Sequence, residues 1–220
     1  MSGTLKKIYC IPGQGVDHTL FSRLELPGFE MRAVKWVEPE KNETMLSYAK
    51  KLSAQIDTSQ PFYLMGVSLG GMLCVELSEI LNPIKTIIIS SAKNRNELPL
   101  SIKFMKYFPI HKLQGNNFSI WMGIHNRWLF GVSKKDLPLF EKMLLNPPKN
   151  FYRYTSHFII NWKRTETLSE KIIHIHGDSD LVIPLKKRMN ALLIEGGEHF
   201  MVMNEWKEIS ELIRKNLTGH

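Results

Sequence analysis

Short apolar runs alternate with segments of helical periodicity along most of this chain of 220 residues. Strands that alternate with helices form parallel sheets, and strands apolar on both faces are typical of sheets covered by helices on each side. The pattern therefore predicts an α/β fold with an open, mostly parallel sheet of about six strands and helices on both faces. The predicted strands are Leu5–Ile11, Met31–Val37, Phe62–Val67, Ile84–Ile89, Lys171–His176 and Ala191–Ile194.

Three segments are predicted as helices that cover this sheet. Apolar residues recur at helical spacing in Asn42–Asp57, where Asn42 is placed to cap the first turn. Met72–Leu81 is apolar nearly all round, which indicates a buried helix. The last helix follows Asn204, a second candidate capping residue, and presents an amphipathic pattern to the end of the chain.

The segment Arg95–Thr165 interrupts the alternation, because it is helical and aromatic and helps separate two predicted strands by about 80 residues. So long a stretch cannot be a bare connection in a compact domain. We therefore expect an inserted helical cap at residues 95–165 and an α/β core formed by residues 1–94 and 166–220. Residues 95–165 are called the cap segment below.

The cap segment differs from the core in composition as well. It contains 12 of the 29 lysines and arginines but only 3 of the 21 acidic residues, so it accounts for the positive net charge of the chain, +8. The basic residues of the cap segment are interpreted either as a solvated face or as a surface that attracts an anionic substrate. Its aromatic residues are expected to form mainly the interior of the cap and partly the wall of a substrate site; they include Trp121, Trp128, Phe130, Phe151, Tyr152, Tyr154, Phe158 and Trp162.

Several classes of protein are disfavoured by what the sequence lacks. Cys10 and Cys74 are the two cysteines, and both lie in apolar segments, so a disulfide framework is not expected. The apolar run near the start is too short for a signal peptide, and no stretch is long enough to span a bilayer. No nucleic-acid module, P-loop or dinucleotide fingerprint occurs. We expect a cytoplasmic protein without a cofactor or nucleic-acid partner.

The chemically most informative motif is Gly66-Val67-Ser68-Leu69-Gly70, which lies between a predicted strand and a predicted helix. A sharp turn at such a junction lifts the serine hydroxyl clear of the backbone. Glycines are needed at its flanks, because a side chain at position 66 or 70 would collide with the neighbouring strand or helix. Ser68 is therefore the candidate nucleophile.

A serine hydroxyl needs a base within hydrogen-bonding reach, and that base must be oriented by a carboxylate. His199 lies in a glycine-containing loop just after the last predicted strand, and Asp180 follows the preceding one. Both would leave the sheet at the edge where Ser68 emerges. Asp178 and Glu97 are alternative acids, of which Asp178 is the more plausible.

The chain resembles the α/β-hydrolase superfamily in four features that occur in the same order. These are a Pro-Gly turn after the first strand, the G-x-S-x-G-G motif, an H-G-x-x-D segment and a G-G-x-H loop. The order Ser68, Asp180, His199 is that of nucleophile, acid and base in the superfamily. The resemblance also implies that the backbone amides of Gln14 and Leu69 form the oxyanion hole. A sheet of about six strands would be a minimal version, since eight are common in the superfamily.

The resemblance implies a serine hydrolase that cleaves a small-molecule carboxylic ester or thioester, with Ser68 as nucleophile. Alternatives are a ligand-binding protein that retains the scaffold with little turnover, or a cofactor-free lyase, carbon–carbon hydrolase or acyltransferase. His174 and His176 lie two apart on one predicted strand, but no further ligands accompany them, so no metal site is expected. His125 and His157 in the cap segment are left without a role.

Overall fold

The structure is a computed structural model that describes residues 5–108, 110–113, 115–144, 146–166 and 170–218. Its described residues contain a single sheet of six strands in the order β2-β1-β3-β4-β5-β6, and every pairing is parallel. The strands are β1 (Lys6–Ile11), β2 (Phe29–Ala33), β3 (Phe62–Val67), β4 (Thr86–Ile89), β5 (Ile172–Gly177) and β6 (Leu192–Ile194). The predicted fold class is confirmed, and the sheet is wholly rather than mostly parallel.

Helices follow most of the strands. The α-helices are α1 (Met45–Ser53), α2 (Leu69–Leu81), α3 (Leu100–Phe104), α4 (Asn116–His125), α5 (Leu137–Met143), α6 (Phe151–Ile160), α7 (Met201–Asn204) and α8 (Trp206–Thr218). Short 3-10 turns occur at His18–Phe21, Arg95–Glu97, Ile110–Leu113, Arg127–Phe130 and Lys187–Met189. In the described part of the chain, no helix has the length and apolar character needed to cross a membrane.

Two separate hydrophobic cores lie on the two faces of the sheet, because successive side chains of a strand point to opposite faces. Ile8 and Cys10 of β1 belong to the core that includes Ile209 and Ile213 of α8. Tyr9 and Ile11, the residues between and after them, belong to the core that contains α1 and α2. Both faces are therefore covered by helices, as the apolar strands predicted.

Two helix starts differ from the sequence prediction. Thr44, not Asn42, caps α1: its hydroxyl accepts a bond from the amide of Ser47, and the hydroxyl of Ser47 accepts one from the amide of Thr44. This reciprocal pair satisfies two amides that the first turn leaves free. Asn42 instead lies in the turn before the helix with a positive φ of 71°. Asn204 ends α7, and its amide group donates to the carbonyl of Gly131 at 3.0 Å.

The described residues of the cap segment form four α-helices and three 3-10 turns, with no strand among them. Its two ends lie side by side, since the amide of Arg95 donates to the carbonyl of Arg164 at 2.8 Å. An insertion must enter and leave its host domain at neighbouring points, and these ends do so. The division into a core of residues 1–94 and 166–220 and a cap at 95–165 remains our proposal.

Candidate active site

Ser68 lies in a strained turn between β3 and α2. Its φ is +53° and its ψ is −120°, a backbone conformation that side chains rarely adopt. The amide of Ser68 donates to Ile89 of the neighbouring strand at 3.0 Å, and its carbonyl accepts a bond from the hydroxyl of Ser91 at 2.6 Å. Such strain costs about 1–3 kcal/mol and persists where the surrounding contacts over-determine it. The turn thus holds the Ser68 hydroxyl at the end of β3.

The glycines on either side of Ser68 are required by close backbone contacts. A Cβ atom at Gly66 would overlap the backbone of Gly70, and one at Gly70 would overlap the carbonyl oxygens of Ile11 and Pro12. Substitution would force backbone rather than a flexible side chain to move. The predicted collision at positions 66 and 70 is confirmed.

His199 and Asp180 reach Ser68 from the loops that follow β6 and β5. The Nε2 atom of His199 lies 3.0 Å from the Oγ of Ser68, and its Nδ1 lies 2.8 Å from Oδ2 of Asp180. Both contacts are satisfied when Nδ1–H donates to the carboxylate and the serine hydroxyl donates to Nε2. The structure therefore brings together the three side chains that the sequence suggested, in one continuous chain of hydrogen bonds.

The carboxylate of Asp180 is almost fully buried, at 2% exposure. Its Oδ1 accepts bonds from the backbone amides of Val182 and Ile183, both at 2.8 Å. Burial by itself favours the neutral acid, but the charge and hydrogen bond of His199 and the amide of Ile183 outweigh it, so the pKa of Asp180 lies below its usual value. Asp180 is therefore ionised at neutral pH and holds the imidazole by Nδ1.

The alternative acids have other partners. Asp178 accepts a bond from the amide of Gly196 at 2.8 Å and so braces the loop that carries His199. Glu97 accepts a bond from the amide of Lys93 at 2.6 Å. Asp180, rather than Asp178 or Glu97, contacts His199.

His174 and His176 pack behind Asp180. The Nε2 of His174 lies 3.2 Å from Nδ1 of His176, and Nε2 of His176 donates to the carbonyl of Ile183 at 2.8 Å. Burial, then the neighbouring His176 and Lys93, lower the pKa of His174 to about 3. Burial also lowers the pKa of His176, so both rings are uncharged packing groups at neutral pH. Within the described ranges, no three His, Cys, Asp or Glu side chains are grouped to hold a metal ion.

Gln14 and Leu69 belong to two backbone segments that meet near Ser68, since a Cβ at Gly13 would lie 3.7 Å from that of Ser68. Leu69 is the first residue of α2, directly after Ser68, and Gln14 belongs to the turn that follows β1. In the described part of the chain, neither backbone amide donates a hydrogen bond to another protein group. The side chain of Gln14 donates to Thr155 at 2.8 Å and to Ser156 at 3.1 Å, which ties this turn to α6.

A cavity of about 450 Å³ opens above Ser68. It is lined mainly by apolar side chains, and no lysine, arginine, aspartate or glutamate is among the lining residues. Core and cap segment both contribute to it: the lining includes Val16, Leu20, Met72, Val182 and Ile183 from the core and Ile102, Met122, Leu129, Phe130, Phe140 and Ile159 from the cap segment. The uncharged lining gives no support to an anionic group in the cavity itself.

Sequence reasoning missed three polar residues near the site. Ser91 fixes the carbonyl of Ser68, and the side chain of Gln14 fixes the turn that carries its own amide. Tyr152 lines the cavity with a buried hydroxyl that has no hydrogen-bond partner. Ser91, two residues after β4, could not be recognised from the sequence, because serines are common after strands. The sequence places Tyr152 among the cap aromatics and gives no sign that its hydroxyl is buried at the cavity.

No protein-family profile matches this sequence, and no curated protein matches it. Several solved structures, however, are similar to this chain. An esterase from Thermogutta terrifontis superposes with a TM-score of 0.71 at 15% identity, covering 99% of this chain and 91% of the esterase. The enol-lactonase from Burkholderia xenovorans LB400 gives 0.72 at 11% identity over 98% and 92% of the two chains. Est816, an N-acyl homoserine lactone degrading enzyme, gives 0.68 at 17% identity over 96% and 93%. The six-stranded parallel sheet, the helices on its two faces and these superpositions together show that the chain has the α/β-hydrolase fold.

Proposed function

We propose that this protein is a serine hydrolase that cleaves a small-molecule carboxylic ester or thioester through an acyl-enzyme on Ser68. The observation that carries the proposal is the hydrogen-bonded chain Ser68–His199–Asp180 at the floor of an apolar cavity. A buried carboxylate and an imidazole in this geometry are the groups that activate a serine hydroxyl. The similar structures include an esterase, an enol-lactonase and an enzyme that degrades N-acyl homoserine lactones, and a lactone is a cyclic ester.

In the first half-reaction, the Oγ of Ser68 attacks the substrate carbonyl carbon and its proton passes to Nε2 of His199. Asp180 stabilises the imidazolium that forms and keeps Nδ1 protonated throughout. The negative carbonyl oxygen is held by the free amides of Gln14 and Leu69, each of which is worth about 100-fold to 1,000-fold in rate. The tetrahedral intermediate then expels an alcohol or thiol, which takes the proton from Nε2.

In the second half-reaction, water replaces the leaving group. It gives a proton to Nε2 and attacks the acyl carbon, and the resulting intermediate releases a carboxylic acid as Ser68 regains its proton. The substrate would place an uncharged acyl group against the apolar wall, because the cavity offers no cation to an anionic one. Its volume of about 450 Å³ lies within the range typical of small-molecule sites.

The test uses p-nitrophenyl esters with the wild-type protein, Ser68→Ala and Ser119→Ala. Ser119 is a matched control because it also lines the cavity but bonds to the carbonyl of Gly115. Ser68→Ala should reduce kcat/KM by about 10⁴-fold or more, since members of such a triad act as a unit. Ser119→Ala should remain within a few fold of the wild type. Equal turnover by all three proteins would refute the proposal.

A fluorophosphonate probe provides an independent measurement, because it reacts quickly only with an activated serine. We expect peptide mapping to find the label on Ser68 in the wild type and to find none in His199→Ala. Labelling of another serine, or none with intact protein, would contradict the role proposed for Ser68. Ligand-stabilised melting without product release would instead favour a binding protein on this scaffold.

A further inference from the structure

A second pocket, of about 280 Å³, lies on the side of α6 away from the catalytic cavity. Arg153 and His157 are one turn apart on α6 and face it, whereas Tyr152, Ser156 and Ile159 of the same helix face the cavity. The other walls come from the segment before α1 and from the 3-10 turn at Ile110–Leu113. We call it the basic pocket; the residues used below are Lys41, Asn42, His111, Lys112, Arg153 and His157.

The cations of the basic pocket lack acidic partners. Within the described residues, no carboxylate forms an ion pair with Lys41, Lys112 or Arg153, and no aspartate or glutamate lines the pocket. The nearest acids in sequence, Glu40 and Glu43, are both bound to Lys51, at 2.7 and 2.9 Å. In the part of the chain that the structure describes, three positively charged side chains therefore line one small concavity and no acidic side chain pairs with them.

Buried polar atoms in the same place also lack partners. His111 is 2% exposed, yet its Nδ1 has no hydrogen-bond partner, and the Nε of Arg153 is buried without one too. The other ring nitrogen of His111 lies 3.4 Å from Nδ1 of His157. Leaving such a group unsatisfied costs about 1–3 kcal/mol, and more for a charged one. An unpaired buried guanidinium nitrogen beside two lysines indicates a site built for a ligand that accepts hydrogen bonds.

We propose that the basic pocket binds a phosphate group, either as inorganic phosphate or as a small phosphate monoester. The donors come from three separate stretches of chain, residues 41–42, 111–112 and 153–157, and so surround a ligand from several directions. A tetrahedral oxyanion has acceptor oxygens in several directions, and guanidinium and ammonium groups are its usual partners in proteins. Asn42 also lines the pocket, and its side-chain amide is an uncharged donor that could bond to a phosphate oxygen.

Burial is the main cause that lowers the pKa of His111, followed by the proximity of His157 and Lys112. The same burial and Lys112 lower the pKa of His157. A bound phosphate dianion would offset the electrostatic repulsion between these neighbouring cationic groups. The pocket has only two imidazoles and no cysteine or carboxylate among its lining residues, which does not suit a divalent metal ion.

The experiment titrates inorganic phosphate and, separately, glycerol 3-phosphate into the protein of 220 residues by isothermal titration calorimetry. We expect Arg153→Gln to weaken binding by about 10-fold to 100-fold, the equivalent of one charge-assisted hydrogen bond. Lys134→Gln is the matched control, because it removes one exposed charge of the cap segment outside the pocket. Its affinity should stay within twofold of the wild type. Equal weakening by both variants would show that net charge alone attracts the anion and would overturn the proposal.

Two further variants keep the result interpretable. Lys112→Gln changes an exposed side chain, so it should weaken phosphate binding without loss of folding even if Arg153→Gln is unstable. Ser68→Ala should bind phosphate as the wild type does, because Ser68 lies on the other side of α6. Loss of binding in Ser68→Ala would place the anion in the catalytic cavity and refute a separate site. This test does not depend on the proposed hydrolase activity.

A vesicle-binding experiment distinguishes a soluble phosphate from the phosphate of a lipid. Flotation is measured with phosphatidylcholine vesicles that contain or lack phosphatidic acid, using the wild type and Arg153→Gln. Calorimetric binding without flotation identifies a soluble ligand, and flotation that Arg153→Gln abolishes identifies a lipid phosphate as the occupant of the same pocket. Absence of binding in both arms at millimolar ligand would refute the proposal.

Discussion

The carboxylate of Glu76 joins the end of the cap segment to the core, and its removal should destabilise the protein strongly. Glu76 lies on α2 and is 4% exposed. It accepts a bond from the indole of Trp162 at 2.7 Å and two from Arg164, at 2.9 and 3.1 Å. Burial disfavours the charge of Arg164, but Glu76 and Glu79 outweigh this effect and raise its pKa. Glu76→Ala would leave the Nε and Nη2 groups of Arg164 and the indole N–H of Trp162 without their acceptor.

The expected loss follows from these contacts. Breaking a buried ion pair by removing one partner costs about 3–5 kcal/mol. Glu79 still contacts Arg164, so we expect the lower half of that range. For a chain of this size, each kcal/mol lowers Tm by about 2–4 °C, which predicts a decrease of about 6–16 °C. Urea unfolding followed by circular dichroism measures the free energy of unfolding directly, and calorimetry measures Tm.

Two control variants separate this explanation from general damage to α2. Glu79→Ala removes a partner that is 33% exposed, so it should cost less than about 1 kcal/mol. The double replacement Glu76→Leu with Arg164→Leu should recover most of the loss, because no charge is then left stranded in the interior. A loss below 1 kcal/mol for Glu76→Ala, or a double variant no more stable than the single one, would refute the reasoning.

Four further predictions concern the site and its surroundings. Gly15→Ala should lower the free energy of unfolding by about 2–4 kcal/mol, because φ is +80° and a Cβ would overlap the hydroxyl of Tyr152. Gly28→Ala is the control: φ is +86° but the space around it is open, so only the backbone cost of about 1–2 kcal/mol is expected in chemical unfolding. Asp180→Asn should lower kcat by about 10³-fold to 10⁴-fold in ester hydrolysis, whereas Asp178→Asn should have little effect. Because the folded protein disfavours a protonated His174, the stabilising contribution of the neutral ring is complete above the unfolded pKa near 6.5 and is lost as pH falls towards about 3. Urea midpoints should therefore decrease between pH 7 and pH 4, and they should decrease less steeply in His174→Gln. Finally, kcat/KM for p-nitrophenyl esters should rise about fourfold for each added methylene from acetate until the cavity is filled, and a flat profile would argue against an acyl group in the apolar cavity.

The sequence predicted the sheet well, because buried parallel strands are apolar on both faces and stand out from their surroundings. All six strands were found, and β3 has the predicted bounds Phe62–Val67. The prediction for β2 was displaced towards the C-terminus. Val34 lies just after the strand and its amide still donates to the carbonyl of Cys10 at 3.0 Å, but Trp36 is apolar because it packs on Tyr48 and Phe151. A residue buried by tertiary packing and a residue buried in a strand are both apolar, so the sequence alone does not distinguish them.

The side chains of the candidate triad were identified from their motifs, but the details of the cap segment were not. Its aromatics were expected to be mainly interior, yet Trp121 is 52% exposed and Trp128 is 61% exposed. The helix α4 has no buried residue and only weak periodicity, so sequence could not say which of its faces meets the cavity. The basic pocket could not have been found either, because its residues lie in three segments far apart along the chain.

Ser68, Asp180 and His199 all come from outside the cap segment, while much of the cavity wall comes from within it. These three side chains follow β3, β5 and β6, whereas the cap segment meets the core through contacts such as the bonds from Gln14 to Thr155 and Ser156. A chimera with a foreign insertion between Asn94 and Glu166 would therefore have to supply new partners for the side chains of Gln14 and Glu76 if it is to change the cavity wall alone.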